Sequence, residues 1–78
     1  MIQQGVYRHY RGGLYTVLMA ARCSDNGPNE GQNVVIYVSH TTGEVRTRME
    51  KEFFETIVPE GTFPAVHRFT FIAHSMSK

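Results

Sequence analysis

Gly5–Val17 reads GVYRHYRGGLYTV, two short runs of strand-favouring residues on either side of a glycine pair. Tyrosine, valine and threonine favour extended backbone because their side chains pack well on a pleated surface. Gly12 and Gly13 can adopt positive φ without steric cost, as tight turns between antiparallel strands require. The segment therefore predicts a β-hairpin, with a first strand over Val6–Tyr10 and a second over Leu14–Arg22.

Strand signals continue beyond this hairpin. Alternating side chains predict a third strand over Asn33–Ser39, a short fourth strand over Glu44–Arg48 and a last strand over Val66–Ala73. Because alternate side chains of a strand point to the same face, Arg46 and Arg48 are expected on one face of the fourth strand.

The segments between the strands have a different composition. Residues 24–32 are rich in Gly, Asn and Pro and predict a flexible loop, and residues 74–78 predict a disordered tail. Apolar residues recur at helical spacing from Met49 to Ile57, which predicts one or two helical turns. Pro59–Gly61 then predicts a turn, and Pro64 keeps the residues before it extended.

Five short strands and one helical turn within 78 residues predict a single domain over residues 1–78. A strongly bent sheet that rolls into a barrel would remove its exposed edges. We therefore predict a mainly β fold, an SH3-like, partly open five-stranded barrel. The alternative is an open α+β sheet with one helix.

Composition restricts the environment and the kind of site. The net charge is +1, and the single cysteine, Cys23, excludes an internal disulfide. Met1–Gln4 has neither the basic stretch nor the apolar run of a signal peptide, and the apolar run Val17–Ala21 is too short to span a bilayer. We expect a cytoplasmic protein with no membrane association and, at this size, a shallow contact surface instead of a deep catalytic cavity.

Aromatic and basic side chains are interleaved through the chain. Tyrosines offer stacking area and arginines offer bidentate anion contacts. We predict a ligand-contact surface formed by Tyr7, His9, Tyr10, Arg22, Tyr37 and Arg48. Such a surface suits a protein or an extended peptide, and the alternative is RNA or single-stranded nucleic acid. The structural alternative is that the tyrosines fill the core, while Arg48 and Arg68 pair with Glu44, Glu50 or Glu55.

Other kinds of site find weaker support. Dedicated nucleic-acid binders usually carry a clear basic excess, which this chain lacks. A thiol-dependent enzyme would need Cys23 activated by His9 or His67, and no motif supplies the remaining groups, so we predict that the chain is not an enzyme. The four histidines lack the close spacing of zinc sites, so we predict no metal or other cofactor. We expect a solvated face formed by Glu50, Glu52 and Glu55. We also expect the chain to be a monomer or a weak homodimer.

The chain resembles a bacterial family described as "domain of unknown function 1653". The matching residues are Gly5–Val17, Ala21–Ser24, Val35–Tyr37, Arg48, Met49–Phe54 and Arg68–Phe69. The resemblance implies a small bacterial cytosolic protein with an SH3-like barrel, and it implies no activity. The chain departs from the family pattern at Cys23, Arg46 and Met49, where the family has His, Trp and Pro. A family surface built on that His or Trp would therefore be altered here.

Overall fold

The computed structural model describes residues 2–24, 26–58 and 65–75. The elements in these ranges are β1 (Gly5–His9), β2 (Leu14–Arg22), β3 (Asn33–Ser39), β4 (Val45–Met49), α1 (Glu50–Phe53), β5 (Thr56–Ile57), β6 (Val66–His67) and β7 (Phe69–Ala73). Five strands form one antiparallel sheet in the order β4-β3-β2-β1-β7, and β5 pairs with β6. No described helix is long and apolar enough to cross a membrane.

The predicted mainly β class is confirmed, and the five strands predicted to form an SH3-like, partly open barrel form one open antiparallel sheet, with one short helix. The sheet is not closed into a barrel, because β4 and β7 lie at opposite edges and are not hydrogen-bonded to each other. The five strands meet in consecutive antiparallel pairs except at β7, which returns to lie beside β1. This return is what brings the end of the chain next to the N-terminal hairpin.

The N-terminal hairpin forms as its sequence predicts. Gly12 and Gly13 have φ values of 95° and 88°, which ordinary residues adopt only under strain. The turn is held by the N–H of His9, which donates to the carbonyl of Gly13 at 3.1 Å, and by the N–H of Gly12, which donates to the carbonyl of His9 at 2.8 Å. Tyr10 therefore lies in the turn, one residue beyond the end of β1.

The helix is shorter than the spacing of apolar residues predicts. It covers one turn, and the expected continuation to Ile57 is instead a strand in which Ile57 pairs with Val66. The β-branched side chains of Thr56, Ile57 and Val58 favour extended backbone, which explains why the helix ends at Phe53. The predicted fourth strand is likewise shifted by one residue, to Val45–Met49.

The predicted last strand is divided in two at Arg68. The N–H of Arg68 donates to the carbonyl of Glu55 at 2.9 Å, whereas its carbonyl accepts from the N–H of Tyr10 at 3.0 Å. The chain thus changes partner at this residue, so that β6 joins β5 and β7 joins β1. The turn predicted at 59–61, the residue Pro64 and positions 76–78 of the tail lie outside the described residues.

Aromatic side chains form the core on one face of the sheet. Tyr7 lies directly opposite Tyr15 on β2 and Phe71 on β7, and opposed residues of antiparallel strands share a face. Phe53 from α1 covers this face and is fully buried, and its ring stacks on Phe69 with 4.1 Å between centroids and 1° between planes. The buried ring of Phe53 therefore fixes the short helix on this face of the sheet.

Candidate functional site

One end of this aromatic face carries a histidine surrounded by rings. The imidazole of His9 lies 4.6 Å from the ring of Tyr10, 5.0 Å from Phe69 and 6.2 Å from Tyr15, between centroids. Phe69 is brought there because it pairs directly with His9 across β1 and β7. Tyr10 lies in the turn after β1, and Tyr15 lies on β2. Four rings from the turn and three strands thus meet at one place.

The positive charges of three arginines act on this histidine. The guanidinium carbon of Arg11 lies 5.5 Å from the centroid of the Tyr10 ring, a cation–π geometry. Burial is the main cause that lowers the pKa of His9, and the positive charges of Arg68, Arg48 and Arg11 lower it further. These charges act on one imidazole although the arginines lie far apart in sequence, so the fold gathers them at this end of the sheet.

The arginines on this side of the sheet differ in how their charge is compensated. Nε of Arg46 donates to a carboxylate oxygen of Glu44 at 2.9 Å, and Nη2 of Arg68 donates to a carboxylate oxygen of Glu55 at 2.9 Å. Arg48 has no such ion pair within residues 2–24, 26–58 and 65–75. Its Nε is shielded from solvent and has no hydrogen-bond partner. A buried donor without an acceptor is uncommon and asks for an explanation.

We call these residues the aromatic–arginine surface: His9, Tyr10, Arg11, Tyr15 and Arg48, with Phe69 as its buried floor. Three of the residues predicted from the sequence, His9, Tyr10 and Arg48, belong to it. Arg11 and Tyr15 belong to it as well but were not among the predicted site residues. Their signal was present in the hairpin, since Arg11 begins the turn and Tyr15 lies just after it.

Two predicted contact residues lie instead in the core. The side chains of Tyr7 and Tyr37 are 2% and 3% exposed. The hydroxyl of Tyr7 donates to the carbonyl of Gln3 at 2.8 Å, and burial raises its pKa. This corrects the expectation that both tyrosines contact a ligand, because Phe53 covers both rings edge-on. The structural alternative for these two tyrosines is the correct one.

Arg22 lies at the opposite end of β2 from the ring cluster around His9. It pairs with Asn33 at the end of β2, whereas Tyr15 near the start of the strand pairs with Tyr7. Seven residues of extended chain separate the two positions, which corresponds to roughly 23 Å. This corrects the grouping of Arg22 with His9 and Tyr10.

A groove runs along the free side of β7. It has a volume of about 380 Å³ and is lined by Gln3, Tyr7, Phe54, His67, Phe69, Thr70 and Phe71. Most of these side chains are aromatic, and Phe69 is the ring that His9 contacts at the aromatic–arginine surface. The groove and the surface are therefore joined at Phe69.

Comparisons with known proteins bear on this arrangement. A family model described as "Protein of unknown function (DUF1653)" matches residues 5–71. The chain belongs to the DUF1653 family. A crystal structure of a DUF1653 protein from Bordetella bronchiseptica is similar to it, with 26% sequence identity, a TM-score of 0.78, and coverage of 99% of this chain and 95% of that one. No curated protein matches the chain.

The positions at which this DUF1653 chain departs from the family pattern lie in different places. Arg46 lies beside the aromatic–arginine surface, since it is directly opposite Tyr37 on β3. Cys23 lies just beyond the far end of β2, and Met49 pairs with Val34 at the end of β4. Of the three, Arg46 is the one that lies near this surface.

Of the two histidines considered as a base for a catalytic Cys23, His9 lies at the opposite end of β2 from the cysteine. His9 adjoins the start of β2 through its hydrogen bond with Gly13, whereas Cys23 follows the other end of that strand. The second candidate, His67, lies on β6 and lines the groove beside β7. The part of the chain that the structure describes contains no group of three or more His, Cys, Asp or Glu side chains able to hold a metal ion.

The acidic residues around α1 have structural partners. Glu55 pairs with Arg68, whose Nε also donates to the carbonyl of Glu52 at 3.2 Å. A carboxylate oxygen of Glu50 accepts from Nδ2 of Asn33 at 2.9 Å. Glu52 and Glu55 are exposed, as expected, and the carboxylates of Glu50 and Glu55 also connect α1 and the segment after it to Asn33 on β3 and to Arg68.

Proposed function

We propose that this DUF1653 chain is a small, non-enzymatic binding module that contacts a protein or peptide through the aromatic–arginine surface. One observation carries the proposal. Three aromatic rings converge on His9, and Arg48, whose positive charge acts on that imidazole, has no carboxylate partner among the described residues. A structural arginine would be expected to have a carboxylate partner, as Arg46 and Arg68 have.

The groove beside β7 favours an extended peptide over a small molecule. Extended peptides bind where an apolar groove accepts alternate side chains and a polar group fixes the register. Here the groove is lined largely by aromatic side chains and is continuous at Phe69 with the charged end of the surface.

Nucleic acid is the second candidate. The observation that favours it is the pair of Arg11 and the partly exposed Tyr10, because an aromatic ring with an adjacent guanidinium can stack a base. Charge argues against it, since the net charge is +1 and glutamates neutralise Arg46 and Arg68. Binding of a phosphate backbone needs several uncompensated cations.

The proposal also includes the fold type, the lack of thiol catalysis, the oligomeric state and the cellular location of the chain. The antiparallel sheet with one helical turn supports placing the domain among SH3-like folds, in an open form. The separation of Cys23 from His9 supports a module without thiol catalysis. The sheet edges β4 and β7 are consistent with a monomer or a weak homodimer, and a cytoplasmic location completes the proposal.

A peptide selection tests the function. Phage displaying random peptides would be selected on the full chain, and backbone amide shifts would be mapped with an enriched peptide. We expect shifts confined to the aromatic–arginine surface and the groove beside β7, with saturable binding. A library that yields no binder, or shifts that fall on the opposite face of the sheet, would reject the proposal. Binding to mixed single-stranded oligonucleotides that weakens steeply with salt would replace it by the second candidate.

A further inference from the structure

The face of the five-stranded sheet that turns away from α1 is largely without charge. The strand registers place its residues in three rows of directly opposed positions, the first across all five strands and the others across β4, β3 and β2. We call these rows the uncharged face: Val45, Val38, Thr16, Val6 and Ala73 in the first row, Thr47, Ile36 and Met19 in the second, and Met49, Val34 and Ala21 in the third.

The uncharged face is open to solvent, whereas the other face is covered. Val45 and Met19 are 58% and 52% exposed, although both are large apolar residues. The helix α1 packs on the other face, where the ring of Phe53 meets that of Tyr37 edge-on. His67 of β6 lines the groove on that same side of the sheet. These elements therefore leave the uncharged face without a layer of its own.

The sequence of β3 is typical of a strand that is covered on both faces. Asn33–Ser39 reads NVVIYVS, in which apolar residues occupy both faces of the strand instead of alternating with polar ones. Such runs occur where both faces of a sheet are buried, whereas a sheet with one solvated face alternates apolar and polar residues. Because α1 covers one face, the pattern indicates that the uncharged face is covered as well.

We propose that two copies of this chain pack their uncharged faces against each other and form a symmetric dimer. Two sheets can pack face to face about 10 Å apart with their strands nearly aligned, and a two-fold axis brings the same residues together from both copies. Like charges would oppose such pairing, and the three rows contain none. The hydroxyl of Thr16 is already hydrogen-bonded to Nε2 of His40 at 2.6 Å.

The chemistry of the face favours a second copy over other occupants. A protein of different sequence is usually selected by charges placed to meet its own, and the three rows offer none. A helix or sheet that lies on a lipid surface usually carries several Lys or Arg residues around its apolar part. Here the row next to the uncharged face, which holds Leu14 and Thr70, brings Arg8 to its rim.

The area of the uncharged face fits a weak dimer. Five strands about 4.8 Å apart make the first row about 24 Å long, and rows that are two residues apart lie about 7 Å apart. The three rows thus cover roughly 400 Å² of sheet in each copy, or about 800 Å² in a pair. This is below the roughly 1,200 Å² at which stable interfaces begin, so the dimer should form at high protein concentration.

Sedimentation equilibrium of the full chain over a wide range of concentrations tests the dimer. We expect the average mass to rise from that of one chain to that of two and no further, because a two-fold interface is closed. Since charges take no part in the contact, added salt should not weaken the association. A chain that stays monomeric at every concentration, or that continues to larger species, overturns the proposal.

Substitutions test where the interface lies. V45K and M19K place a charge among apolar neighbours in the dimer, and each should weaken association about tenfold or more. V58K is the matched control, because Val58 is 56% exposed and lies beyond β5, outside the five-stranded sheet. Circular dichroism establishes that the variants are folded. Association as in the wild type for V45K and M19K, or equal weakening in V58K, overturns the proposal.

Methyl signals in NMR spectra locate the contact in the wild-type chain itself. The methyl groups of Val34, Ile36 and Val38 should shift as the protein concentration rises. Those of Val17 and Val35, which lie on the face beneath α1, should stay in place. The reverse pattern overturns the proposal. The aromatic–arginine surface lies on the α1 side, so a failure of the dimer leaves peptide binding untouched, and the converse also holds.

Discussion

The ring of Phe53 is expected to be the largest single contribution to the stability of the fold. It is fully buried, stacks on Phe69 with centroids 4.1 Å apart, and meets Tyr7 and Tyr37 edge-on at 5.2 and 5.4 Å. Truncating a buried phenylalanine to alanine costs about 3–5 kcal/mol. The whole stability of so small a domain is about 3–5 kcal/mol, so F53A is expected to be largely unfolded.

A milder change keeps this prediction measurable. Leucine at position 53 retains much of the apolar volume but loses the ring pairs, and we expect F53L to reduce the free energy of unfolding by about 2 kcal/mol. The matched control is F54L, since Phe54 is 40% exposed and its replacement should cost less than about 1 kcal/mol. Urea unfolding followed by circular dichroism measures both, with an m value of about 1 kcal/mol/M for a small domain. Equal losses in the two variants would refute the role given to Phe53.

Three further predictions concern other parts of the chain. Gly5 has a φ of 142°, and a Cβ there would lie 2.5 Å from the carbonyl oxygen of Ala73, so G5A should lose about 2–4 kcal/mol of stability. Gly43 has a φ of 74° but lies in open space, so G43A should lose only about 1 kcal/mol. Equal losses of the two variants in urea unfolding would contradict this difference. Because the pKa of His9 is lowered in the fold, the unfolded chain binds more protons just below pH 6.5, and stability should fall as the pH drops from there through the folded pKa. H9Q should flatten this part of the pH–stability curve, and an unchanged slope would argue against it. C23A should bind a selected peptide as the wild type does, and loss of binding would restore a functional role for the thiol.

The hairpin and the third strand were predictable because their signals are local. The glycine pair determines the turn, and alternation over Asn33–Ser39 gives a strand whose bounds match the structure. The helix and the last strand were predicted less well because distant residues decide them. The change of partner at Arg68 depends on the carbonyl of Glu55, thirteen residues earlier in the chain. Spacing along the chain contains no information about that contact.

The candidate site was partly predictable for the same reason. That His9, Tyr10 and Arg48 meet depends on sheet order, which the family resemblance and the strand pattern made plausible. Tyr7 is buried because Phe53 packs against its ring, whereas Tyr10 is free of that contact and available to a ligand. The sequence does not specify where Phe53 packs. The separation of Arg22 from the His9 end of the sheet follows from the length of β2 and was within reach of the sequence.

The central claim is that the chain recognises its partner through Arg48 at the aromatic–arginine surface. Isothermal titration of one selected peptide into the wild type, R48K and R22K tests it most directly, after circular dichroism has established that all three are folded. Both substitutions keep the charge, and Arg22 lies at the far end of β2. We predict about tenfold weaker binding for R48K and unchanged binding for R22K. Wild-type affinity in R48K would contradict the account.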